Sequence, residues 1–314
     1  MHREPVPALI ENGGRNAQYA WDECFAIDNE HTRLAYESAA RRFLEHCRAA
    51  GTRLNEVMPG QVNDYLRTLT NQRTGLPASN ETKKLHLTAI RRLFDTLVLR
   101  HAVVLNPAAS VRGPRISGNE GKTAAIPRDV IPQILSISDR PTIVELRDRA
   151  ILGVLVYTAA RRAAVANLHR RDYWTDGFQY YMRFAEKGGK TRDIPVRHDL
   201  QQWIAAYLEG IVEGGDAAPL FRQAVGRTNS LATTGMSPRN ISDLVKRRLR
   251  DAGLPTASLT AHSFRVATIT NLLENGTRLE DVQDLAGHAD SRTTRCYDRS
   301  SRKVTRNVVE RITF

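Results

Sequence analysis

Apolar residues recur at helical spacing through the first third of the chain. Within 36–47 they fall at positions i, i+3, i+4, i+7, i+8 and i+11, which lie on one face of a helix. Similar spacing appears in 62–69 and in 89–97. Ser79-Asn80 precedes the last run, and both residue types cap helix N-termini. The pattern predicts several amphipathic helices in this part of the chain.

The pattern changes in the rest of the chain. Residues 147–168, RDRAILGVLVYTAARRAAVANL, predict one strongly apolar helix. Apolar residues then alternate with a period of two from Phe178 to Phe184, the turn KGGK follows at 187–190, and TRDIPV returns, which predicts a β-hairpin. Further helices are predicted near 127–137, from 237 to a stop at Gly253, from about 261 to Gly276, and from 279 to Gly287.

A segment rich in proline and glycine separates the two patterns. NPAASVRGPRISGNEGK, at 106–122, has no hydrophobic period and predicts a linker between domains. The expected organisation is therefore an acidic N-terminal arm at 1–30, a helical domain at 31–112, the linker at 113–122, and a mostly helical domain with a small sheet at 123–314.

The charge of the chain points to a polyanionic partner. The 314 residues carry a net charge of +12 with a pI near 10.0, a balance that favours nucleic acid. Residues 1–30 carry −4, whereas 31–112 carry +7. No apolar run approaches the ~20 residues of a membrane-spanning helix. Three widely spaced cysteines and the absence of a secretory signal predict a reducing, cytoplasmic setting, associated with the nucleoid.

One predicted helix in the first domain carries a polar face of its own. Lys84, Thr88, Arg91 and Arg92 lie opposite its apolar face. Such a face is either solvated surface or a contact with DNA phosphates, and the pattern alone supports both interpretations equally.

Several residues of the second domain could act together on a phosphodiester, although each alone is unremarkable. Attack on a phosphodiester needs a nucleophile, cations for the non-bridging oxygens and a proton for the leaving oxygen. Tyr297 can attack, Arg161 and Arg265 can bind the phosphate, and Lys187 or a histidine can supply the proton. No metal or other cofactor is needed, because the fixed cations stabilise the charge.

The order of these motifs resembles that of tyrosine recombinases of the phage integrase family. TAAR, KGGKTRDIPV, HSFR, LAGH and the late tyrosine follow one another as they do in that family, and the resemblance covers roughly 31–314. It implies that Arg161 and Arg265 bind the phosphate, that Lys187 is the general acid, and that Tyr297 forms a 3′-phosphotyrosyl bond. His262 would assist proton transfer at the tyrosine, and His288 would hold the scissile phosphate.

The resemblance also implies a fold and partners. The fold would be mainly α with a small β-sheet. A helical SAM-like core-binding domain and an α+β catalytic domain would form a C-shaped clamp on double-stranded DNA. Four protomers would act on two DNA sites without ATP, and the tail at 304–314 would dock on a neighbouring protomer.

The chain departs from the family pattern after the first arginine. Members commonly have an apolar residue, Ser and then Glu, whereas this chain has Arg162, Ala163 and Ala164. An acid that orients Arg161 is therefore missing, or another acid such as Asp172 takes the task. Arg162 as the phosphate-binding residue is a minor alternative. Many members also read HxLRH, where this chain has Phe264 and Val266.

Other functions compatible with these residues make different predictions. A DNA-binding regulator that has lost catalysis would bind DNA without a covalent product. A type IB topoisomerase-like enzyme would relax DNA without choosing a site. A metal enzyme using His262, His288 and Cys296 fits poorly, because their spacing is not that of zinc ligands.

Overall fold

The chain consists of two compact units, residues 1–117 and 118–314, whose boundary falls within the predicted linker. The computed structural model describes residues 5–115, 123–185, 191–211, 214–288 and 291–297. Lys187 and the tail at 304–314 lie outside these ranges. Both units are mainly helical, and the second carries small antiparallel sheets, so the predicted fold class is confirmed.

Five α-helices build the described part of the first unit. They are α1 (Ala8–Asn12), α2 (Gly14–Cys24), α3 (Glu30–Ala49), α4 (Pro59–Thr68) and α5 (Asn80–Leu99). Helix α5 lies at the centre and packs against α2, α3 and α4. Its N-cap Ser79 accepts a hydrogen bond from Thr82 N, as the sequence predicts. The ring of Phe43 meets those of Tyr65 and Phe94 edge to face in the core.

The segment predicted as a separate acidic arm is part of this core. Helices α1 and α2 fully bury Ile10 and bury Trp21 and Cys24 against the rest of the unit. Apolar residues on one face of the two helices pack inward, while the acidic residues that dominate the composition of 1–30 lie on the surface. The net charge of the segment thus gave no indication of its amphipathic pattern.

Eight α-helices and five strands form the described part of the second unit. The helices are α6 (Ile131–Leu135), α7 (Ile143–Thr158), α8 (Arg162–Ala166), α9 (His198–Glu209), α10 (Pro238–Asp251), α11 (Ala261–Glu274), α12 (Leu279–Ala286) and α13 (Ser291–Arg295). The strands are β1 (Tyr173–Thr175), β2 (Tyr180–Ala185), β3 (Thr191–Pro195), β4 (Arg222–Ala224) and β5 (Leu231–Gly235). Short strands β4 and β5 form a second sheet that the sequence does not predict.

Helix α7 is the centre of the second unit. Its side chains from Ala150 to Val156 are buried, and it packs against both α9 and α11. A side chain at Gly153 would meet Leu200 and Trp203 of α9 within 3 Å, so the two helices approach as closely as glycine allows. Helix α7 is thus the element around which the neighbouring helices of the second unit pack.

The predicted pairing of the hairpin strands is confirmed, with one difference at the start, and the turn KGGK at 187–190 lies outside the described residues. Strands β1, β2 and β3 pair antiparallel in that order, and Met182 lies opposite Ile194. Phe178, predicted as the first strand residue, is fully exposed in the turn before β2. The carboxylate of Asp176 accepts hydrogen bonds from the backbone N–H of Phe178 and Gln179, which stabilises this turn instead of a longer strand.

No helix among the described residues combines the length and the hydropathy needed to cross a membrane.

Candidate active site

The apolar segment 147–168 is not one helix, and its break places Arg161. Helix α7 ends at Thr158, and Ala159 adopts a left-handed conformation with φ of 51°. Arg161 follows in an extended conformation at the N-cap of α8. The expectation that Arg161 lies inside a continuous helix is therefore wrong, because the chain turns out of α7 two residues earlier. This turn exposes Arg161 at the surface of the second unit.

The two adjacent arginines take different surroundings. Arg161 lines a pocket of about 460 Å³ together with Thr260 and His262. Arg162 borders the same pocket, but its Nη1 donates to the Ser242 hydroxyl on α10. The positive charge of Arg161 reaches His262, His288 and Tyr297, since it lowers the pKa of each. Arg161 is thus the member of the pair whose charge reaches the predicted site.

Arg265 is the most deeply buried of the predicted site residues that the structure describes. It lies on α11 with a side chain 1% exposed. Its Nη1 donates to Ala159 O and its Nη2 donates to Ala286 O, both at 2.6 Å. These bonds use two of the five N–H donors of a guanidinium and fix its plane. Arg265 therefore joins the end of α7 to the end of α12.

His288 is held at the end of α12 by a glycine turn. Gly287 has φ of 60°, a left-handed value that ends the helix. The backbone N–H of His288 donates to Gln283 O, and the Gln283 side-chain amide donates to His288 O at 3.0 Å. The side chain of His288 is buried, and its Nδ1 lies 2.8 Å from Thr294 Oγ1.

Tyr297 lies between the two predicted histidines. Its phenol oxygen is 3.4 Å from Nε2 of His262. Its ring stacks on the ring of His288, with centroids 6.0 Å apart and planes 7° from parallel. The half-buried side chain also packs beside Ile269 and Val282. The structure thus brings together Arg161, His262, Arg265, His288 and Tyr297, as the sequence predicts.

The electrostatics of the site keep Tyr297, His262 and His288 neutral near pH 7. Burial raises the pKa of the Tyr297 phenol, and the charges of Arg265 and Arg161 oppose this only in part. Desolvation lowers the pKa of His262, and the same two arginines lower it further. Burial, followed by these arginines, lowers the pKa of His288 to about 4. The tyrosine therefore keeps its proton until a base removes it, and His262 is deprotonated and in reach.

Two residues near the site are not among those that the sequence predicts. Arg192 on β3 lies with its Nη1 3.4 Å from Asp284 O on α12, and its charge contributes to the lowered pKa of His288. Thr294 is fully buried beside His288. The hairpin register shows that Arg192 shares the face of buried Phe184. The alternation of side chains along the strands could therefore have predicted that Arg192 lies on the inner face of the sheet. Nothing in the pattern marks a single threonine.

Asp172 and Ala164 are the two positions that bear on which acid orients Arg161. Asp172, the alternative acid, accepts a hydrogen bond from the His169 backbone N–H at 2.8 Å and lies 3.6 Å from the His169 imidazole. These contacts stabilise a 3₁₀ turn before β1. The Ala164 side chain packs against the hydrophobic core instead of offering a carboxylate.

The three residues predicted to contact DNA from the first unit have different surroundings. Arg91 Nε donates to Ala108 O at 3.0 Å, and its Nη2 donates to Val111 O. Arg92 Nε donates to Cys24 O at 2.7 Å. Lys84 is exposed. Both arginines thus bond to the backbone of their own unit, but Arg92 is exposed like Lys84, whereas Arg91 is half-buried.

Comparison with known sequences identifies the family. The sequence model of the phage integrase family matches residues 125–303, more than half of the chain. The chain belongs to the phage integrase family. The tyrosine recombinase XerD of Chlorobaculum tepidum is 25% identical over 88% of this chain and 88% of its own. The tyrosine recombinase XerC of Vibrio vulnificus is 27% identical over 85% of this chain and 80% of its own.

A solved structure of the family shares the fold across both units. The XerH site-specific recombinase, bound to its difH substrate in a pre-cleavage complex, superposes with a TM-score of 0.66 at 16% identity. The match covers 98% of this chain and 96% of that one. The resemblance drawn from the sequence motifs is thereby confirmed. The chain is a tyrosine recombinase, an enzyme of site-specific recombination that cleaves and rejoins DNA.

Proposed function

We propose that Tyr297 is the nucleophile of this recombinase. Five other residues assist its attack: Arg161, Lys187, His262, Arg265 and His288. The phenol oxygen attacks the scissile phosphorus, a Tyr297–phosphate bond forms, and the bond from phosphorus to the 5′ oxygen breaks. His262 takes the phenol proton, and Lys187, outside the described residues, gives a proton to the leaving 5′ oxygen. The observation that carries the proposal is the approach of Tyr297 to His262 within 3.4 Å.

The cations of the site stabilise the charge that develops on the phosphate. Arg161, at the surface of the pocket, and Arg265, fixed by two backbone carbonyls, bind non-bridging oxygens. Neutral His288 adds a hydrogen bond to the same phosphate. The covalent 3′-phosphotyrosyl bond keeps the bond energy, so that a second 5′ hydroxyl can replace the tyrosine without ATP.

Double-stranded DNA is the proposed substrate, and both units bind it. The net charge of +12 supports a polyanionic partner, and the solved XerH recombinase is bound to its difH substrate. In the first unit, exposed Lys84 contacts phosphate. Four protomers act on two DNA sites, and residues 304–314 dock on a neighbouring protomer.

Covalent capture tests the proposal without knowledge of the target sequence. The probe is a pool of duplexes with a randomised central region and a nick a few nucleotides from the position of cleavage. Cleavage releases a short fragment from the nicked strand, and loss of that fragment traps the protein on DNA. Wild-type protein is expected to form an adduct stable in SDS, and sequencing the trapped DNA gives the target site.

Two tyrosine variants make the capture decisive. Tyr297→Phe should form no adduct, whereas Tyr19→Phe, which changes a tyrosine 63% exposed on α2, should behave as wild type. An adduct with Tyr297→Phe, or none with the wild type, contradicts the proposal. Binding of one sequence without an adduct would favour a regulator, and relaxation of plasmids that lack the captured sequence would favour a topoisomerase-like activity.

A further inference from the structure

The hydroxyl of Thr294 faces the imidazole of His288 in the interior of the second unit. Thr294 is fully buried, and its Oγ1 lies 2.8 Å from Nδ1 of His288. A buried hydroxyl and a buried ring nitrogen each need a hydrogen-bond partner, and here they supply it to one another. The same threonine accepts a hydrogen bond from the Tyr297 backbone N–H at its carbonyl oxygen. Thr294 therefore contacts both His288 and the nucleophile.

A neutral imidazole carries its single proton on one nitrogen or the other. If Nδ1 carries it, Nε2 is only an acceptor and would repel a phosphate oxygen. If Nδ1 accepts a hydrogen bond, the proton stays on Nε2, which can then donate to the phosphate. The partner of Nδ1 thus decides whether His288 can act in cleavage. Burial, followed by the positive charges of Arg265 and Arg161, favours the neutral ring, so the position of its single proton matters near pH 7.

We propose that Thr294 is a positioning residue, whose hydroxyl donates to His288 Nδ1 and so holds the proton of the imidazole on Nε2. The inference rests on the proposed function, because the value of an Nε2–H donor comes from a phosphate beside it. The hydroxyl acts through His288 and does not touch the substrate. The hydrogen bond from the Tyr297 backbone N–H to the Thr294 carbonyl oxygen holds the nucleophile beside the same histidine.

The tautomer of His288 can be measured in the full-length protein without DNA. Nitrogen-15 NMR separates ring nitrogens that carry a proton from those that do not, and a His288→Gln variant assigns the signals. In the wild type we expect the proton of His288 on Nε2. Thr294→Val, which has the same shape without a hydroxyl, should move a measurable share of the proton to Nδ1, and Thr294→Ser should restore the wild-type spectrum. A wild-type proton on Nδ1, or no change in Thr294→Val, overturns the proposal.

Cleavage of the captured DNA site gives the second measurement. Hydrogen-bond partners that orient metal-bound histidines typically contribute about 10- to 100-fold to affinity or activity. A loss of about that size is expected for Thr294→Val, with recovery in Thr294→Ser. In a His288→Gln background the Thr294→Val substitution should have no further effect, because its partner is gone. An equal loss in both backgrounds would show a role in folding or packing and would contradict the proposal.

The two measurements separate this inference from the proposed function. If the wild type forms no covalent adduct, the proposed function fails while the NMR spectrum still reports the tautomer. If the adduct forms and the tautomer is indifferent to Thr294, the proposed function stands and this inference fails.

Discussion

The phenol oxygen of Tyr297 lies 3.4 Å from Nε2 of His262, a long hydrogen-bond contact that has to tighten on the substrate before a proton can pass. The pocket that His262 lines also contains Arg161, and the Arg161 charge extends to the tyrosine. The pair therefore combines a phenol that is hard to ionise with a base that stays unprotonated at neutral pH.

This pair predicts how cleavage depends on pH. Burial and two arginines lower the pKa of His262 below its ordinary value of 6.5, so the base is available at pH 7 and is lost only on acidification below 6.5. Adduct formation should therefore be level near neutrality and fall at acid pH. His262→Gln should be slower by about 100-fold, the lower range of general-base catalysis, and should lose this acid dependence.

A second histidine provides the control for this pH profile. His198 is exposed at the start of α9 in the same unit, so His198→Gln should leave both the rate and the profile unchanged. An unaltered acid dependence in His262→Gln would show that another group accepts the phenol proton.

Arg265 is expected to support stability as well as catalysis. Its guanidinium donates to Ala159 O and Ala286 O, and lysine cannot reproduce this fork. Arg265→Lys should leave at least one buried carbonyl without a donor, which costs about 1–3 kcal/mol of unfolding free energy. Urea unfolding measures this change, and adduct formation should also be lost.

An exposed arginine in the same unit serves as the matched control. The Arg239 side chain is 90% exposed and its ion pair with Asp243 is 3.9 Å long, so Arg239→Lys should change the stability by less than about 0.5 kcal/mol. Equal unfolding free energies for Arg265→Lys and the wild type would mean that Arg265 contributes only to phosphate binding.

Lys84 and Arg91 should separate DNA binding from stability. Lys84→Ala removes an exposed charge and should weaken binding to duplex DNA of any sequence, lowering the salt dependence by about one counterion. Arg91→Ala should instead lower the unfolding free energy by about 1–3 kcal/mol, because Ala108 O and Val111 O lose their donor. An unchanged salt dependence in Lys84→Ala would remove that residue from the DNA-binding surface.

Periodicity predicted the elements that pack by one face. Helices α3, α5, α10 and α11 and the β2–β3 hairpin follow the predicted spacing, because each buries one face against its own unit. The short strands β4 and β5 were missed, since three and five residues carry too little alternation. In residues 1–30 the acidic composition masked the apolar face that contains Ile10 and Trp21.

The site could be predicted as a set of residues but not as a geometry. Nothing in YTAARRAA marks Ala159 as left-handed, because that turn is stabilised by Arg265, 106 residues further along the chain. The stacking of His288 on Tyr297 and the contact with Thr294 likewise depend on the packing of α13 against α12. Motif order predicted which side chains belong to the site, whereas their orientations arise from tertiary contacts.

A buried pair in the first unit predicts that its stability depends on pH. The phenol oxygen of Tyr65 lies 2.8 Å from Nδ1 of buried His86. Burial, together with the charge of Arg42, lowers the pKa of His86 to about 4, against 6.5 for the ordinary side chain. The unfolded chain therefore binds a proton at a higher pH than the folded chain does. The contribution of neutral His86 to the unfolding free energy should be fully present above pH 6.5. It should fall by up to about 3 kcal/mol as the pH approaches 4.

Replacement of His86 by glutamine tests this prediction, because glutamine can still bond the phenol but does not titrate in this range. Urea unfolding at pH 7.5 and pH 4.5 can be followed by Trp21 fluorescence in a Trp174→Phe/Trp203→Phe background, which reports the first unit alone. The loss of stability between the two pH values should be smaller in His86→Gln by about 2–3 kcal/mol, whereas His31→Gln, at an exposed position, should match the parent. The same loss in His86→Gln and its parent would assign the acid sensitivity of this unit to its carboxylates.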